Sequence, residues 1–411
     1  MSSTPLNNVS KPSRDQINAF RTDMFGRTKV SEPFTIFDSQ HRYKPSGDYS
    51  DEITGVGSTV TYNANISGEY LNIGTASGAK ITRETNRVFP YQPGKSLQVF
   101  QTFCFAPAQS NLRQRAGYFS RTNGYYLEQD GNNIYFVRRS FVTGSLVETR
   151  IPQSEWNMDK LDGSGPSDVV LDLSKAQIMF SEYEWLGAGS VRLGFAIDGY
   201  FIIAHQFNHA NRVSTTYITT ASLPIRFEIE NLGTTQVASS MLQICSTVIS
   251  NGGYTRRTEQ WSATRSATVN VSSSFYPMVS IRLSAGRTDS VVIPAGASIL
   301  PVAQGNYQWA FIKNATITGG TWQTHTPSTG NVDYNISATA MSGGTEILTG
   351  FTSSTNQANS VLDIGDGFQR FDLQLGRTNS DTPVSDTITL ALRSLGGTQS
   401  GIGSINWVDL L

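Results

Sequence analysis

Apolar and polar residues alternate with a period of two through most of the chain after residue 47. Residues 59–64, 70–73 and 80–83 show this alternation, which is the pattern of half-buried β-strands. Residues 98–105 are more continuously apolar, as expected of a central strand in a sandwich. Because strand signals recur at short intervals with little helical periodicity between them, the pattern predicts an all-β protein built from β-sandwich or jelly-roll units.

Turn residues place two β-hairpins within this pattern. Asp130-Gly131 separates the strand-like residues 125–129 from 133–138, and Asp198-Gly199 separates two further strand-like runs. Asp-Gly is favoured in tight hairpin turns, since these positions need positive φ. Residues 166–176 are the one candidate helix between these hairpins.

Residues 1–45 have the character of an arm rather than of a folded unit. Ser13-Arg14-Asp15-Gln16 has the form of a capping box, and the apolar residues that follow fit one face of a short helix. An isolated helix of this length is marginal in water, so it needs a surface on which to dock. The arm either reaches a neighbouring subunit or folds back on its own domain. The residues predicted to anchor it in an assembly are Phe20, Phe25, Phe34 and Phe37.

The chain of 411 residues is long enough for two or three domains. A Gly-rich stretch at Asn251-Gly252-Gly253 marks the predicted boundary. We expect an N-terminal extended arm over residues 1–45, a jelly-roll β-sandwich domain over 46–250 and a β-rich domain over 251–411. Strand signals in the last of these predict a second C-terminal β-sandwich and lie at residues 267–271, 278–283, 309–313, 371–375 and 387–393.

Charged residues make up 15% of the chain, whereas they make up roughly 25% of an ordinary globular domain. Ser, Thr, Asn, Gln and 37 Gly supply the polarity instead, a mixture that favours strands and turns. The net charge of -1 argues against nucleic-acid binding, which needs a concentrated basic surface. The first residues lack the basic and apolar regions of a signal peptide, and no apolar run is long enough for membrane insertion.

Cysteine and histidine residues show no pattern of a metal or cofactor site. Cys104 and Cys245 each lie in an apolar segment, and we expect two reduced core thiols, with a disulfide between them left open. His205 and His209 would share one face of a strand, but no third ligand lies near them in sequence. The sequence therefore predicts neither a bound metal nor a cofactor.

Phe180, Glu182 and Glu184 occupy alternate positions, so a strand would place all three on one face. With residues 191–199, this segment is similar to the catalytic strand and following hairpin of concanavalin-like glycoside hydrolases. The resemblance implies a jelly roll with three acidic residues facing a cleft, and retaining hydrolysis needs two carboxyls about 5 Å apart. Here Phe180 fills the first acidic position, and both glutamates could simply be solvated. We therefore expect no catalytic residue and no enzyme. Glycoside hydrolysis is the least favoured of three functional hypotheses, and the other two follow below.

Residues 89–97, 159–167 and 217–224 resemble a module repeated across virion structural proteins of tailed phages that infect marine and cyanobacterial hosts. The resemblance covers about residues 27–250. It implies a phage virion protein, made in the host cytoplasm, that docks on the capsid, tail or baseplate through its N-terminal arm. The β domains would project outward, as in a capsid decoration or tail-fibre subunit. Its expected partners are other virion proteins and further copies of itself in a homo-oligomer.

A second hypothesis is a tail adhesin module that binds a glycan of the host surface. Tyr307, Trp309 and Trp322 in the second β domain are candidates for stacking on sugar rings, since aromatic side chains offer large flat apolar faces. Core packing of these residues is the alternative, because a tryptophan in a β domain is commonly well buried.

Overall fold

The computed structural model describes residues 32–255, 257–325, 330–354, 360–362, 373–379 and 382–410. Across these ranges the chain forms β-strands and no α-helix, so the all-β prediction is confirmed. The helix predicted after Ser13, together with Phe20 and Phe25, lies outside the described residues.

The helix predicted over residues 166–176 is wrong. This segment consists of turns, with an isolated bridge between Asp162 and Val170. The side chains of Ser167 and Asp172 each accept a hydrogen bond from the backbone amide two residues later. Such local bonds offer the backbone an alternative to a helix.

The first sandwich contains strands β1 to β15. Their bounds are Phe34–Ser39 (β1), Tyr49–Thr54 (β2), Thr59–Asn63 (β3), Gly68–Ile73 (β4), Lys80–Thr85 (β5), Ser96–Cys104 (β6), Leu112–Phe119 (β7), Gly124–Asp130 (β8), Asn133–Ser140 (β9), Val147–Pro152 (β10), Gln177–Tyr183 (β11), Val191–Ile197 (β12), Tyr200–Phe207 (β13), Ile225–Asn231 (β14) and Ser239–Asn251 (β15). A short 3-10 turn at Gln153–Glu155 follows β10.

Two antiparallel sheets make up this sandwich. Sheet A has the strand order β13-β12-β11-β6-β15-β4-β3, with β1 beside the second half of β15. Sheet B has the order β10-β9-β8-β7-β14-β5-β2. The β-sandwich prediction is therefore confirmed here, and the facing sides of the sheets form one core rich in aromatic rings, among them Phe103, Tyr118, Tyr125, Tyr183 and Phe227.

Both predicted hairpins are present. Strands β8 and β9 pair on either side of Gly131-Asn132, and β12 and β13 pair on either side of Asp198-Gly199, where both residues have positive φ. A β-bulge in the second hairpin shifts the register by one residue, so that Arg192 lies opposite Gln206. A bulge re-aims the side chains beyond it, and this one turns Gln206 to the outer face of sheet A.

The predicted arm is in part a strand of the sandwich. β1 pairs with β15, and the Thr247 hydroxyl donates a hydrogen bond to the Phe37 carbonyl at 2.8 Å. Phe37 is buried in the core, 4.7 Å between ring centroids from Phe89, whereas Phe34 is partly exposed and stacks on Tyr254. A core side chain is not available to a neighbouring subunit, so the anchoring role predicted for Phe37 does not fit its position.

The second sandwich contains strands β16 to β28. Their bounds are Thr258–Thr264 (β16), Val269–Val271 (β17), Tyr276–Leu283 (β18), Val292–Pro301 (β19), Gly305–Lys313 (β20), Thr316–Thr318 (β21), Gln323–Thr324 (β22), Val332–Asn335 (β23), Ala340–Ser342 (β24), Thr345–Ser354 (β25), Ser360–Leu362 (β26), Thr387–Ser394 (β27) and Gln399–Leu410 (β28). The strand predicted at residues 371–375 lies partly outside the described residues, and its described part, 373–375, is not a strand.

These strands also form two antiparallel sheets around a core. Sheet C has the order β16-β28-β19-β26, with β17 beside β28, and sheet D has the order β22-β23-β18-β27-β20-β25. β21 and β24 form a separate two-stranded ribbon. The prediction of a second C-terminal β-sandwich is confirmed, while the predicted unit boundaries at residues 45/46 and 250/251 stay predictions.

Residues 373–379 join the second sandwich to the first. The Arg377 amide donates to the Asn86 carbonyl at 2.8 Å, and its guanidinium lies 2.6 Å from the Glu84 carboxylate. The side chain of Gln374 donates to the Val88 carbonyl at 3.1 Å. The buried side chain of Ile293 from β19 also packs into the core of the first sandwich. The two sandwiches are therefore in direct contact.

The outer face of sheet B carries a row of buried ion pairs. Arg226 lies between Glu84 and Glu228, at 2.5 and 2.6 Å, and Arg115 lies between Glu228 and Glu128, at 2.9 and 2.6 Å. Burial by itself would raise the pKa of Glu228, but the charges of Arg226 and Arg115 outweigh it and hold that pKa well below its usual range. The side chains of this face therefore satisfy one another.

Replacing Arg115 with methionine should lower the free energy of unfolding by about 3 kcal/mol or more, because it leaves buried carboxylates short of a cation. Arg113→Met is the matched control on the same strand. The pair of Arg113 with Glu230 is partly exposed, so its loss should cost less than about 1 kcal/mol. Chemical denaturation followed by circular dichroism measures both. Equal losses would contradict the importance of the buried row.

Candidate functional site

A polar cleft of about 520 Å³ opens on the outer face of sheet A. Strands β6, β11, β12 and β13 lie side by side there and supply Ser96, Glu182, Arg192 and Gln206 to its floor. Each of these residues points outward because the neighbouring positions on its strand face the core. The cleft is thus a feature of the regular sheet rather than of a loop alone.

Glu182 is held by two neighbours on the floor of the cleft. The Ser96 hydroxyl donates to one of its carboxylate oxygens at 2.9 Å, and the Arg192 guanidinium lies 3.5 Å from the other. Glu182 and Arg192 are direct cross-strand partners, a position in which opposite charges stabilise a sheet. The carboxylate is therefore fixed and charge-balanced.

The hydrogen bonds continue from Arg192 across the cleft. Its Nε donates to the Gln206 side-chain oxygen at 3.2 Å. The side-chain nitrogen of Gln206, Nε2, in turn donates to the Asn208 side-chain oxygen at 2.5 Å. The Ser190 hydroxyl donates to the same oxygen of Asn208 at 3.0 Å. The result is a row of planar polar side chains with both donors and acceptors.

Residues 184–190, which we call the cleft wall, border this row. The Glu184 amide donates to the Ser190 carbonyl at 3.0 Å, and the Gly189 amide donates to the Trp185 carbonyl at 2.8 Å. A Cβ at Gly189 would overlap the Glu184 carbonyl oxygen, so the tight turn requires glycine. Leu186 projects from the wall and is exposed.

An aromatic shelf adjoins the cleft on the same face of sheet A. It consists of Phe100 on β6, Phe180 on β11 and Phe201 on β13, with ring centroids 5.4 to 6.4 Å apart. Phe201 is 61% exposed, whereas Phe180 is 3% exposed beneath it. Only Ser181 lies between Phe180 and Glu182 on β11, so the shelf adjoins the floor of the cleft along the same face of sheet A.

Phe180, Glu182 and Glu184, the alternating positions predicted to share one face, lie on the outer side of sheet A, and only two of them are carboxylates. Phe180 and Glu182 share the outer face of β11, and Glu184 follows the last residue of that strand. Phe180 packs against Phe100 and Phe201 in the position of the first acid. Glycoside hydrolysis needs one carboxyl as nucleophile or base and a second as acid. With Glu182 paired to Arg192, the arrangement suits binding better than cleavage.

The aromatic residues predicted to stack on sugars lie elsewhere, in the second sandwich. Tyr307 is fully buried in its core and its hydroxyl donates to the Ala303 carbonyl at 2.6 Å. Trp309 is 6% exposed. Trp322 is half-buried, with the Arg282 guanidinium 4.1 Å from the centroid of its indole ring. Burial leaves Tyr307 and Trp309 no open face for a sugar, so the alternative of core packing describes them better.

The two neighbouring histidines bond to protein groups. His205 Nδ1 accepts a hydrogen bond from the Asn157 amide at 3.3 Å, and His209 lies within hydrogen-bond distance of Tyr125 and Gly189. Within the described ranges, no three histidine, cysteine or carboxylate side chains cluster as metal ligands would. Cys104 and Cys245 are half-buried free thiols.

Helices that are long and apolar enough to cross a membrane do not occur among the described residues. Cys104 and Cys245 are not joined in a disulfide, and burial raises the pKa of both thiols.

Sequence reasoning missed Ser96, Arg192, Gln206 and the shelf residue Phe201. The Asp198-Gly199 turn gives the register of the hairpin near its tip, and this places Phe201 opposite Ala196. A regular hairpin with the same turn would pair Arg192 with His205. The β-bulge shifts the register by one residue, so that Arg192 pairs with Gln206 instead. Sequence signals could therefore have found Phe201, but not Gln206.

No protein-family model matches the chain, and no curated protein matches its sequence. Several solved structures are similar to about half of it. A β-glucanase of Bacillus licheniformis has 10% identity and a TM-score of 0.33, covering 54% of this chain and 99% of that one. The Emp47p carbohydrate recognition domain has 11% identity and a TM-score of 0.34, covering 55% and 100%.

A third similar structure is the CBM2 module of the evolved Dit of Lactobacillus casei BL23 phage J-1. It has 8% identity and a TM-score of 0.34, covering 55% of this chain and 100% of that one. Identities near one tenth and TM-scores near one third are too low to carry a ligand, an activity or a virion role over to this chain.

Wild-type protein and the double variant Glu182→Gln/Glu184→Gln should release equally little reducing sugar from a panel of polysaccharides. The reasons are that Arg192 pairs with Glu182 and that Phe180 occupies the position in which the resemblance to glycoside hydrolases implies the nucleophile. A reducing-sugar assay with an active glycanase as positive control measures this. Cleavage by the wild type that the double variant abolishes would contradict the expectation and establish hydrolysis.

Proposed function

We propose that this chain is a non-catalytic glycan-binding module whose ligand lies across the outer face of sheet A. The observation that carries the proposal is the continuity of two surfaces on four adjacent strands. Glu182, Arg192 and Gln206 line the polar cleft, and Phe201 exposes an aromatic ring farther along the same face. A glycan presents hydroxyl groups at its edges and apolar C–H groups on its ring faces, so it needs both kinds of surface.

The polar row matches the hydrogen-bonding needs of sugar hydroxyls. Carboxylates and amide oxygens accept hydrogen bonds, whereas guanidinium and amide N–H groups donate them, so a hydroxyl can satisfy both of its capacities there. The bonds among Ser96, Glu182, Arg192, Gln206 and Asn208 hold these groups in place before a ligand arrives. Such preorganisation reduces the entropy lost on binding.

The charges of the cleft favour a ligand without a strong charge of its own. Glu182 and Glu184 are matched by Arg192 and Lys95, all four of which line the cleft. Lys95 is already bonded to the Gln92 side chain and to the Gly253 carbonyl, at 2.9 and 3.0 Å. Neither sign of charge is left over, so hydroxyl recognition and ring stacking would carry the affinity.

Phe201→Ala and Gln206→Ala should each weaken binding of a host-surface oligosaccharide by about tenfold, since they remove the exposed ring and the centre of the polar row. Binding is measured by a glycan array followed by isothermal titration calorimetry with the best ligand. Phe351→Ala is the matched control, because Phe351 is 70% exposed but lies on β25 of sheet D. Its affinity should equal that of the wild type.

Two results would overturn the glycan-binding proposal. One is the absence of saturable binding across the surface polysaccharides of candidate hosts. The other is a wild-type affinity in both the Phe201→Ala and the Gln206→Ala variants, because the ligand would then lie elsewhere on the molecule.

We further propose that this binding serves a phage virion, in which the chain is an adhesin or a decoration subunit and forms a homo-oligomer. The resemblance of residues 89–97, 159–167 and 217–224 to virion modules supports this setting. The first described strand of the sandwiches begins at Phe34, and Phe20 and Phe25, which precede it in the sequence, are the proposed contacts with capsid, tail or baseplate. Phe34 is partly exposed near the start of β1 and could extend that contact.

Deleting residues 1–31 should abolish incorporation into phage particles while leaving glycan binding intact, because β1 and both sandwiches remain. Deletion to residue 40 is not equivalent, since it removes β1 and the core residue Phe37. Immunoblotting of purified particles measures incorporation, and full-length protein supplied from the same plasmid is the control. Normal incorporation of the truncated protein would contradict the anchoring role.

A further inference from the structure

We propose that His209 is a positioning residue that holds the cleft wall in place while its ring is neutral and releases the wall when the ring is protonated. The effect on ligand affinity rests on the proposed glycan-binding function, whereas the effect on the wall does not. His209 lies just beyond β13, directly behind residues 184–190.

Both ring nitrogens of His209 have partners. Nδ1 lies 2.6 Å from the Gly189 carbonyl oxygen of the wall, and Nε2 lies 3.0 Å from the Tyr125 hydroxyl of β8. The ring stacks on Tyr217 with 3.9 Å between centroids, and the residue is buried. One neutral tautomer satisfies both contacts: Nδ1–H donates to Gly189, and Nε2 accepts from Tyr125.

Tyr217 extends the same support along the wall. Its amide donates to the Gly187 carbonyl at 3.0 Å, and its hydroxyl donates to the Glu184 carbonyl at 3.4 Å. The stacked pair of His209 and Tyr217 thus holds three carbonyls of the wall, those of Glu184, Gly187 and Gly189. A change at His209 therefore reaches the residues that shape this side of the cleft.

Protonation disfavours this arrangement through the cost of a buried charge, although Nδ1–H can still donate to the Gly189 carbonyl. It adds an N–H at Nε2, so the Tyr125 hydroxyl must change from donor to acceptor, and it places a positive charge in a buried site. Burial is the main cause that lowers the pKa of His209; the Gly189 carbonyl opposes it, and Arg138 of β9 and Arg212 add to it. Tyr125 and Tyr217 stay neutral because burial raises their pKa.

The sign of the pH effect follows from linkage. When the wall opens, His209 reaches water and regains an ordinary pKa near 6.5. The open state then binds a proton more readily than the closed state, so falling pH shifts the population toward the open state. The closed wall is fully favoured above the ordinary histidine pKa, and each unit by which the native pKa is lowered allows about a tenfold shift.

The indole N–H of Trp185 reports the wall directly, because it donates to the Ile218 carbonyl at 3.2 Å. We expect its NMR signal in the wild type to move or broaden between about pH 8 and about pH 4.5, in step with the His209 ring signal. Assignment uses Trp185→Phe and His209→Gln. The His209→Gln variant should show no such transition at the wall.

His205→Gln is the matched control, since His205 is a second buried histidine on the adjoining strand. Burial lowers its pKa to about 4, and it bonds to Asn157 rather than to the wall. This variant should keep the wild-type transition of the Trp185 signal. Oligosaccharide affinity in the wild type should fall over the same pH range, with a flat profile in His209→Gln.

The outcomes separate the two proposals. A Trp185 signal that does not change with pH in folded wild-type protein overturns the inference, whatever the glycan result, and so does an unchanged transition in His209→Gln. Circular dichroism at each pH confirms that the fold is intact, and the wild-type titration alone decides if His209→Gln does not fold. A histidine-linked transition without glycan binding at any pH supports the inference and overturns the proposed function.

Discussion

The alternation of side chains along each strand is the constraint on which the molecule depends. In the first sandwich every second residue of sheets A and B enters one aromatic core, in which rings such as Tyr118 and Tyr183 lie 5.1 Å apart in edge contact. The remaining residues must face outward. Two sandwiches built in this way have four outer faces. The side chains on those faces determine what the protein can bind.

The first sandwich treats its two outer faces differently. On sheet B the outward residues Arg115, Arg226 and Glu228 belong to a buried row of ion pairs, which Arg377 of residues 373–379 extends through Glu84. On sheet A the outward residues form a cleft with free hydrogen-bonding capacity, and Phe201 leaves most of its ring exposed. An exposed aromatic ring near polar groups offers a ligand an apolar face and hydrogen-bonding partners on one surface. The asymmetry is the physical basis of the proposed glycan site.

The sequence predicted the fold class well, because strand periodicity and Asp-Gly turns are local signals. It predicted the common face of Phe180 and Glu182 for the same reason. It did not predict that Gln206 joins them, since the bulge that sets its register depends on tertiary packing. The burial of individual aromatic residues was also predicted poorly. Phe37 and Trp309 were predicted to be available to partners or ligands, but they lie in cores formed by strands distant in sequence.

The most direct test of the central claim is a crystal structure of the protein with a bound oligosaccharide, chosen as the tightest binder in the glycan panel. The account predicts sugar density across β6, β11, β12 and β13, with one sugar ring against Phe201 and hydroxyls within hydrogen-bond distance of Gln206. Density on the second sandwich, or on the outer face of sheet B, would contradict it. In that case the open face of sheet A would have to be explained by a different partner.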